Sequence, residues 1–513
     1  MHFSQRIYSH SSLLLTFAEV LFPKKLIWIA GWFPSNQDPL SGNFVLRHAQ
    51  AVAGNLSTNS AFDPKLTVFH FPIYRSKQNI PDPYSDANVE WRPVHSNYAI
   101  SASKTTVFLS DSVASNGTFK TESQDNVESK NDRESEIELI WTPIKQFSGV
   151  LSKPLNAIWY WLVVFAVLVN YYRKNSDKEC YLHLHAGDKI AWPLGFVKKH
   201  FWSKAYLWYT EHWAIFGNDI QDSYYQRSVF FRWYMKRIWK ISDVSASISL
   251  FTHQQLQHTY KLPKRMHLFR NPVDTSIFKV NPAINQNLVR RLLAMSSDSE
   301  MDEKKINWLH VSNFDNRKQV PLIINAFNQI SANNKDIPMN LILVGGDSSE
   351  LLAKNPDIDI NSVKSNSRIK IVGKVSPEEL SDLMNLSSAL ILFSIAENAP
   401  CIIAEAQCCG LPIITSSVAG IPEMIVSKGV WFTKGLKEEN LVETMEQYLK
   451  ETKQEGSVNS TNHRLLARDE KYAARDEIYN EQMVEVETAQ KRFNPDTIGQ
   501  EILFAYLRYT PYC

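Results

Sequence analysis

At 513 residues, 44% apolar and 21% charged, the chain is too long for one ordinary core and too apolar for disorder, so two or three globular domains are expected. The 55 Lys+Arg against 53 Asp+Glu leave a net charge of +2, which gives no global attraction for nucleic acid or an anionic membrane. Five cysteines (Cys180, Cys401, Cys408, Cys409 and Cys513) show no metal-ligand spacing and read as thiols of a reducing, cytoplasmic compartment, with no metal expected.

Met1 to Phe22 carries an apolar patch at Leu13 to Phe17 without a convincing cleavage site and is not read as a signal peptide. Lys25 to Ala30 is predicted as the first strand. A Pro/Gly-rich loop runs from Gly31 to Gly42, and Asn43 is placed as the cap of a helix whose apolar side includes Phe44, Val45, Ala49 and Val52. The strand Leu66 to Phe71 completes a strand–helix–strand unit, which implies a parallel α/β sheet. Residues 112–136 are rich in Ser, Asn, Asp, Glu and Lys and read as a solvated insertion. The Asn116-Gly-Thr118 sequon inside it is set aside, because no secretory signal precedes it.

Ala157 to Val169 is an uninterrupted apolar stretch flanked by Lys153 and Arg173. It falls short of the roughly 20 residues of a membrane span, so it is expected to be a core helix or one that dips into a membrane interface. The strand Tyr181 to His185, the loop Ala186 to Asp188 and a helix from Ile190 to His200 follow. The strand Ala205 to Tyr209 then leads into Thr210-Glu-His212-Trp213. His212 stands at the carboxyl end of a strand, where open α/β sheets bind ligands, although a lone histidine there also reads as structural. A helix around Arg227 to Lys240, a strand at Asp243 to Ile248, a helix opened by Ser249 and a strand at Met266 to Phe269 lead to Asn271-Pro-Val-Asp274 and Phe278.

Val280 to Lys305 is polar and marks the domain boundary. A second α/β series begins with the strand Asn307 to Val311, whose following loop, Ser312 to Lys318, brings Arg317 and Lys318 to the strand's carboxyl end. After a helix from Pro321 to Ile330 come the strands Asn340 to Val344 and Ile369 to Val372. Ser376-Pro-Glu-Glu379 is a capping box with proline at the first helical position. Ala389 to Phe393 is a strand. Ser394 to Ala399 is read as a polar loop, and a helix with Pro400 in its first turn closes at Gly410. Glu397 lies in that loop and Glu405 about two turns down the helix. Free N–H groups at a helix start between two carboxylates suit an anion, and the alternative at this point is a buried structural glutamate with a surface one beside an ordinary α/β loop. Leu436 to Leu449 is helical, Lys450 to Arg492 reads as exposed helix plus linker, and Pro495 to Tyr509 is an amphipathic last helix.

Six segments in order resemble the family 4 retaining glycosyltransferases of the GT-B fold. They are Trp32-Phe-Pro-Ser35 with Ser41-Gly42-Asn-Phe44 and His48-Ala49; Thr210-Glu-His212-Trp213; Asn271-Pro-Val-Asp274 with Phe278; Lys318; Glu397 with Glu405, as a Glu-x7-Glu motif; and Gly420-Ile-Pro-Glu423. The resemblance implies α/β architecture with two Rossmann-like doubly wound domains facing each other across a cleft. The acceptor-side domain is expected over 1–285, the nucleotide-sugar domain over 286–492, and a helix over 493–513 crossing back to the first domain. It further implies metal-independent, retaining transfer of a sugar from a nucleotide-diphosphate donor to a glycan or lipid-linked acceptor, without a cofactor and without nucleic acid.

In that reading His212, Lys318 and Glu397 are catalytic, and Gly42, Arg317, Asn398, Ala399 and Glu405 bind the donor. Lys318 and Arg317 would face the diphosphate, Glu397 the sugar hydroxyls, Glu405 the ribose hydroxyls and His212 the sugar or acceptor. The sequence departs from the family at Ser312-Asn313-Phe314, where Gly-Arg-Leu is usual, and at Asn398-Ala399-Pro400, where Gly-Phe-Gly is usual. Two alternatives stand beside this reading: a sucrose- or trehalose-type synthase, and a non-catalytic glycan- or membrane-binding relative. A peripheral contact with the inner face of the membrane is assigned to 157–169.

Overall fold

β1 (Lys24–Ala30) buries residues Leu26 to Ala30 without interruption, as a strand covered on both faces must. In the computed structural model, which describes residues 23–34, 42–74, 90–94, 103–108, 136–148, 152–175, 180–186, 189–213, 216, 223–261, 265–281, 305–454 and 473–508, β1 lies mid-sheet between β2 (Phe62–His70) and β8 (Cys180–His185). The N-terminal 22 residues, the greater part of the insertion at 112–136, Asp188 and the segment from 282 to 304 lie outside the described residues.

The chain divides into two units, Met1–Pro272 with Pro495–Cys513, and Val273–Asn494. Among the described residues unit 1 holds a nine-stranded sheet in the order β11-β10-β9-β8-β1-β2-β6-β5-β4. Its strands β3 (Ile73–Tyr74) and β7 (Ile144–Lys145) form a separate small pair. From β6 (Glu136–Trp141) through β2, β1, β8, β9 (Tyr206–Glu211), β10 (Val244–Ser247) and β11 (Met266–Leu268), neighbours are parallel. β4 (Glu90–Val94) and β5 (Ser103–Phe108) add an antiparallel edge that the hydrophobic pattern did not reveal.

Alternate residues of β1 serve two cores. Ile27 and Ile29 meet helix α2 (Ser152–Asn175) and its neighbours, whereas Leu26, Trp28 and Ala30 meet α1 (Asn43–Gly54). The next helices are α3 (Ala191–His200), α4 (Val229–Ile241) and α5 (Leu250–Tyr260), with α4 capped by Ser228 and α5 by Ser249. Two local expectations are corrected. The cap of α1 is Gly42, not Asn43, since the chain turns at Gly42 with φ 73° and Asn43 is already helical. α2 extends over 24 residues, past the apolar stretch at both ends.

Among the described residues unit 2 holds six parallel strands in the order β14-β13-β12-β15-β16-β17. They are β12 (Ile306–Val311), β13 (Met339–Val344), β14 (Ile369–Gly373), β15 (Ala389–Leu392), β16 (Ile413–Ser416) and β17 (Val430–Thr433). This is the doubly wound Rossmann order, whose direction reverses between the first and fourth strands, here β12 and β15. The helices between them are α6 (Val320–Asn333), α7 (Ser348–Lys354), α8 (Ile360–Ser365), α9 (Pro377–Leu386), α10 (Cys401–Cys408) and α11 (Ile421–Met424). α12 (Glu438–Gln454) and α13 (Ala473–Phe493) complete the unit. The capping box at Ser376 and Glu379 forms as expected, with Pro377 in the first turn. The last helix, α14 (Pro495–Arg508), buries Ile498, Ile502, Leu503 and Tyr506 in unit 1.

Candidate functional site

In unit 2 the order of the strands places two loops side by side, those after β12 and β15, at the point where the sheet's winding reverses. Lys318 ends a single 3-10 turn in the first loop, and Glu397 stands in the second. Their side chains form an ion pair, with 18% and 12% of each side chain exposed. The Ser394 hydroxyl donates to the same Glu397 Oε1 at 2.9 Å. The backbone joins the loops directly through the Ile395 N–H, which donates to the Arg317 carbonyl at 2.9 Å, and the Gly420 N–H, beyond the next strand, donates to the Glu397 carbonyl at 3.1 Å. Residues 79 positions apart in sequence thus present one cation and one carboxylate at a sheet's carboxyl edge.

His310, which the sequence reading missed, ties the start of the first loop to β15. Its Nδ1 lies 2.9 Å from the Ile391 carbonyl of β15, and its Nε2 lies 2.8 Å from the Ser312 hydroxyl. The carbonyl requires Nδ1–H, so Nε2 accepts from Ser312, whose oxygen in turn accepts the Phe314 N–H at 3.0 Å. Burial pushes the His310 pKa down to about 4, which keeps the ring neutral. The position of this histidine, one residue before the end of a strand adjoining the switch point, is the only sequence signal it offered.

Arg317 turns its guanidinium onto Asp315, with Nε 3.0 Å from Oδ1. Burial works to raise the Asp315 pKa, but the Arg317 bonds and the charges of Arg317 and Lys318 outweigh it and hold the carboxyl below its usual range. Phe314 is fully buried with φ 58°, while Asn313 points outward and its carbonyl receives Lys354 at 2.5 Å.

The helix after Glu397 begins later than the sequence suggested. Pro400, with ψ 115°, is the extended cap residue rather than part of the first turn, so α10 starts at Cys401. Glu405 is therefore little more than one turn into the helix, and it is buried at 4% exposure. Asn398 and Ala399 are buried in the loop ahead of it.

In unit 1 the strand order reverses between β1 and β8, and the residues expected there gather at the same edge. His212 follows β9, stacks on Phe44 with ring centroids 4.5 Å apart, and has Nε2 3.1 Å from His185 Nδ1. Trp32 stacks on Trp213 at 4.6 Å. His183 bonds the Tyr506 hydroxyl of α14, and its Nε2 lies 2.6 Å from the Thr210 hydroxyl. Burial drives His183, His185 and His212 well below the usual imidazole range, so the cluster is neutral.

Glu211 accepts from Tyr209 and from the N–H groups of His212 and Trp213, at 2.8 Å each, and burial lifts its pKa to about 7. Gly42 has a packing reason of its own. A side-chain carbon there would lie 2.5 Å from the Trp32 backbone, and its φ of 73° disfavours any other residue.

These buried groups set an acid limit on stability. His70 and His310 titrate near 4 when folded and near 6.5 when unfolded, so the unfolded chain takes up protons first and stability falls as pH drops from 6.5 towards 4. Glu211 has the opposite sign: raised to about 7, it gains protons in the folded state first and offsets part of the loss. Thermal melts are expected to fall steadily from pH about 7 to about 5, and more steeply in Glu211→Gln. A midpoint independent of pH across that window would contradict the buried neutral histidines. Among the described residues no group of three or more His, Cys, Asp or Glu is arranged to hold a metal ion.

Residues 294–463 match the family described as glycosyl transferases group 1, so the larger part of unit 2 is a domain of that kind. The chain is 27% identical over 192 residues to N-acetyl-alpha-D-glucosaminyl L-malate synthase of Bacillus anthracis, a match that covers 36% of this chain and 44% of that one. It spans less than half the length of the curated relatives it matches. Its fold is similar to that of sucrose-phosphate synthase from Thermosynechococcus elongatus, with a TM-score of 0.60 at 14% identity, covering 94% of this chain and 99% of that one. It is also similar to an E. coli trehalose-6-phosphate structure bound with UDP-2-fluoro glucose, at TM-score 0.56 and 9% identity, covering 95% and 99%. These likenesses bear out the two-unit α/β architecture of the GT-B type.

Proposed function

We propose that the protein is a glycosyltransferase of the family 4 retaining type, moving a sugar from a nucleotide-diphosphate donor to a glycan or lipid-linked acceptor without a metal ion. The observation that carries this reading is the Lys318–Glu397 pair, held by Ser394 where the winding of a glycosyl transferases group 1 domain reverses. The UDP-sugar in the trehalose-6-phosphate structure supports a nucleotide sugar as the donor class.

The chemistry follows from charge. When the bond from the anomeric carbon to the diphosphate breaks, negative charge grows on the leaving phosphate and positive charge on the sugar ring. Lys318 would meet the phosphate as a fixed cation and, on binding, exchange part of its pairing with Glu397 for the donor. The N–H groups at the start of α10 would add a second source of positive potential, now from Cys401 onward because Pro400 has none. Glu397, released from full engagement with Lys318, would take sugar hydroxyls. Glu405 would take the ribose hydroxyls, and reaching them requires its buried carboxylate to be uncovered by the donor. Arg317 would reach the diphosphate only by leaving Asp315. Asn398 and Ala399 would border the sugar-phosphate, and Gly42 would let backbone approach it. His212, neutral by burial, would offer a ring nitrogen or its carbonyl to the sugar or acceptor without opposing positive charge. In retaining transfer the departing phosphate itself can accept the acceptor's proton.

The buried cysteines Cys180, Cys408 and Cys409, none of them in a disulfide, support a reducing, cytoplasmic setting. The decisive experiment is a thermal-shift series with UDP, GDP and ADP, followed by donor hydrolysis and transfer in the presence of a chelator. One nucleotide is expected to raise the melting temperature, and turnover of its sugar conjugate is expected to survive the chelator. No shift with any nucleotide would favour the non-catalytic binding relative, and loss of turnover with the chelator would overturn metal independence.

A further inference from the structure

The helices on one side of unit 1 leave a broad apolar face in water. On α2 the inner residues Tyr160, Val163, Val164 and Leu168 enter the core, while Leu155, Ile158, Trp159 and Leu162 stand 40–55% exposed on the opposite side. Their spacing of three and four residues makes one continuous stripe. The stripe continues onto α3 through Trp192 and Phe196, and onto α4 through Val229, Phe230 and Trp233, with Phe230 at 74% exposure. Ring contacts join the three helices into one surface: Phe165 to Phe196 at 5.6 Å, Trp161 to Trp192 at 5.9 Å, and Trp192 to Trp233 at 6.1 Å. Single exposed apolar residues are ordinary, but a contiguous aromatic face of this kind has an occupant.

Charge identifies it. The three helices contain no Asp or Glu at all, in a chain whose overall charge is nearly balanced. Their cations are Lys153, Arg173 and Lys174 on α2, Lys198 and Lys199 on α3, and Arg232, Lys236, Arg237 and Lys240 on α4. Among these Lys198 pairs with Asp243 just beyond α4. A second copy of the chain would set these cations against themselves. Exposed Trp and Phe within a rim of Lys and Arg suit the boundary between acyl chains and anionic headgroups.

A cavity of about 860 Å³ opens where α2 begins. Among the described residues Lys145, Lys153 and Lys189 line it together with Asn156, and no acidic one does. Its rim is Phe147, whose backbone N–H and carbonyl are both bonded by Asn156 and whose ring meets Trp159 at 6.2 Å, so cavity and apolar face are continuous. α2 is long and apolar enough to cross a membrane by length and composition, but a third of that stretch is buried in unit 1, which a lipid-surrounded span is not.

We propose that unit 1 docks flat on an anionic lipid bilayer through the joined faces of α2, α3 and α4, and that the lysine-lined cavity receives a phosphate-bearing lipid headgroup. This surface involves three helices where the sequence pointed to one stretch, and it does not rest on the donor reading of unit 2.

The test is co-sedimentation of the full chain with phosphatidylcholine vesicles, plain or mixed with phosphatidylglycerol. The protein is expected to sediment with the mixed vesicles, to release as salt rises, and to bind the plain ones weakly. Phe230→Glu and Leu162→Glu, at exposed positions, should each lower partitioning about tenfold with unchanged melting and unchanged nucleotide shifts. Lys199→Glu with Lys236→Glu should lower binding to the mixed vesicles alone. Between vesicles charged with phosphatidic acid and with oleate, the protein should prefer the former, and Lys153→Glu should remove that preference. The docking is overturned if the wild type stays in the supernatant, if the two apolar variants sediment as it does, or if they instead dissolve a discrete oligomer. Resistance to alkaline carbonate would make α2 a span and overturn flat docking, and an unchanged lipid preference in Lys153→Glu would overturn the cavity's role.

Discussion

Lys318→Ala is expected to lower donor turnover by at least about a hundredfold, with most of the loss in kcat rather than KM. Removing one fixed donor aimed at developing negative charge costs about 10²–10³ in rate. Lys318 is held by its 3-10 turn and by Glu397, so it is preorganised at the reversal point of the sheet and little reorganisation is needed when the phosphate departs. Lys318→Arg keeps the charge but changes its reach, and should recover part of the rate. Glu397→Ala should produce a loss of similar order, whereas Glu397→Gln retains an acceptor for Ser394 and separates the carboxylate's charge from its bonding role. Steady-state kinetics with the sugar nucleotide identified by thermal shift provides the measurement. Undiminished turnover in both Lys318→Ala and Glu397→Ala would remove the catalytic assignment of this pair.

Ending the chain at Asn494 should prevent unit 1 from folding while unit 2 survives. Unit 2 ends at that residue, and α14 belongs to unit 1 although almost the whole chain separates them in sequence. Ile498, Ile502, Leu503 and Tyr506 are each at most 1% exposed. At about 1.5–3 kcal/mol for each large apolar side chain, their burial contributes on the order of 10 kcal/mol, comparable with the whole stability of a domain. The truncation also removes the Tyr506 hydroxyl from His183 and uncovers one core of β1. A gentler version is Gly499→Val, because a side-chain carbon there would lie 2.0 Å from the Ala51 carbonyl and push α14 off α1. Limited proteolysis reads the result: fragments of unit 1 should be degraded while a product spanning Val273 to Asn494 persists. A truncated chain that melts and resists protease like the full one would show that α14 is dispensable.

The buried parallel strands were legible because their residues are apolar on both faces and bounded by loops, as at Leu26 to Ala30 and Leu341 to Val344. The capping box at Ser376 was legible for a different reason, since its partners lie three residues apart and need no distant contact. Pro400 shows the limit of such local reading. Proline fits the first helical position and the cap equally by its φ, and only the path of the loop from Glu397 set its ψ and moved the helix start to Cys401. The antiparallel edge of β4 and β5 escaped notice because edge strands carry weak hydrophobic patterning and take their register from the neighbour they pair with.

The sequence by itself determined the parallel α/β class and the residue types available for charge stabilisation, Lys318, Glu397 and Glu405, because periodicity and loop chemistry are local. Tertiary structure decided which of them meet. Strand order brought the loops after β12 and β15 together, paired Lys318 with Glu397 and bonded His310 to the β15 backbone, and the loop turned Arg317 to Asp315. It also decided the character of α2, whose apolar residues face the core on one side and water on the other. Composition is the same for both sides of a helix, and only packing against the sheet separates them.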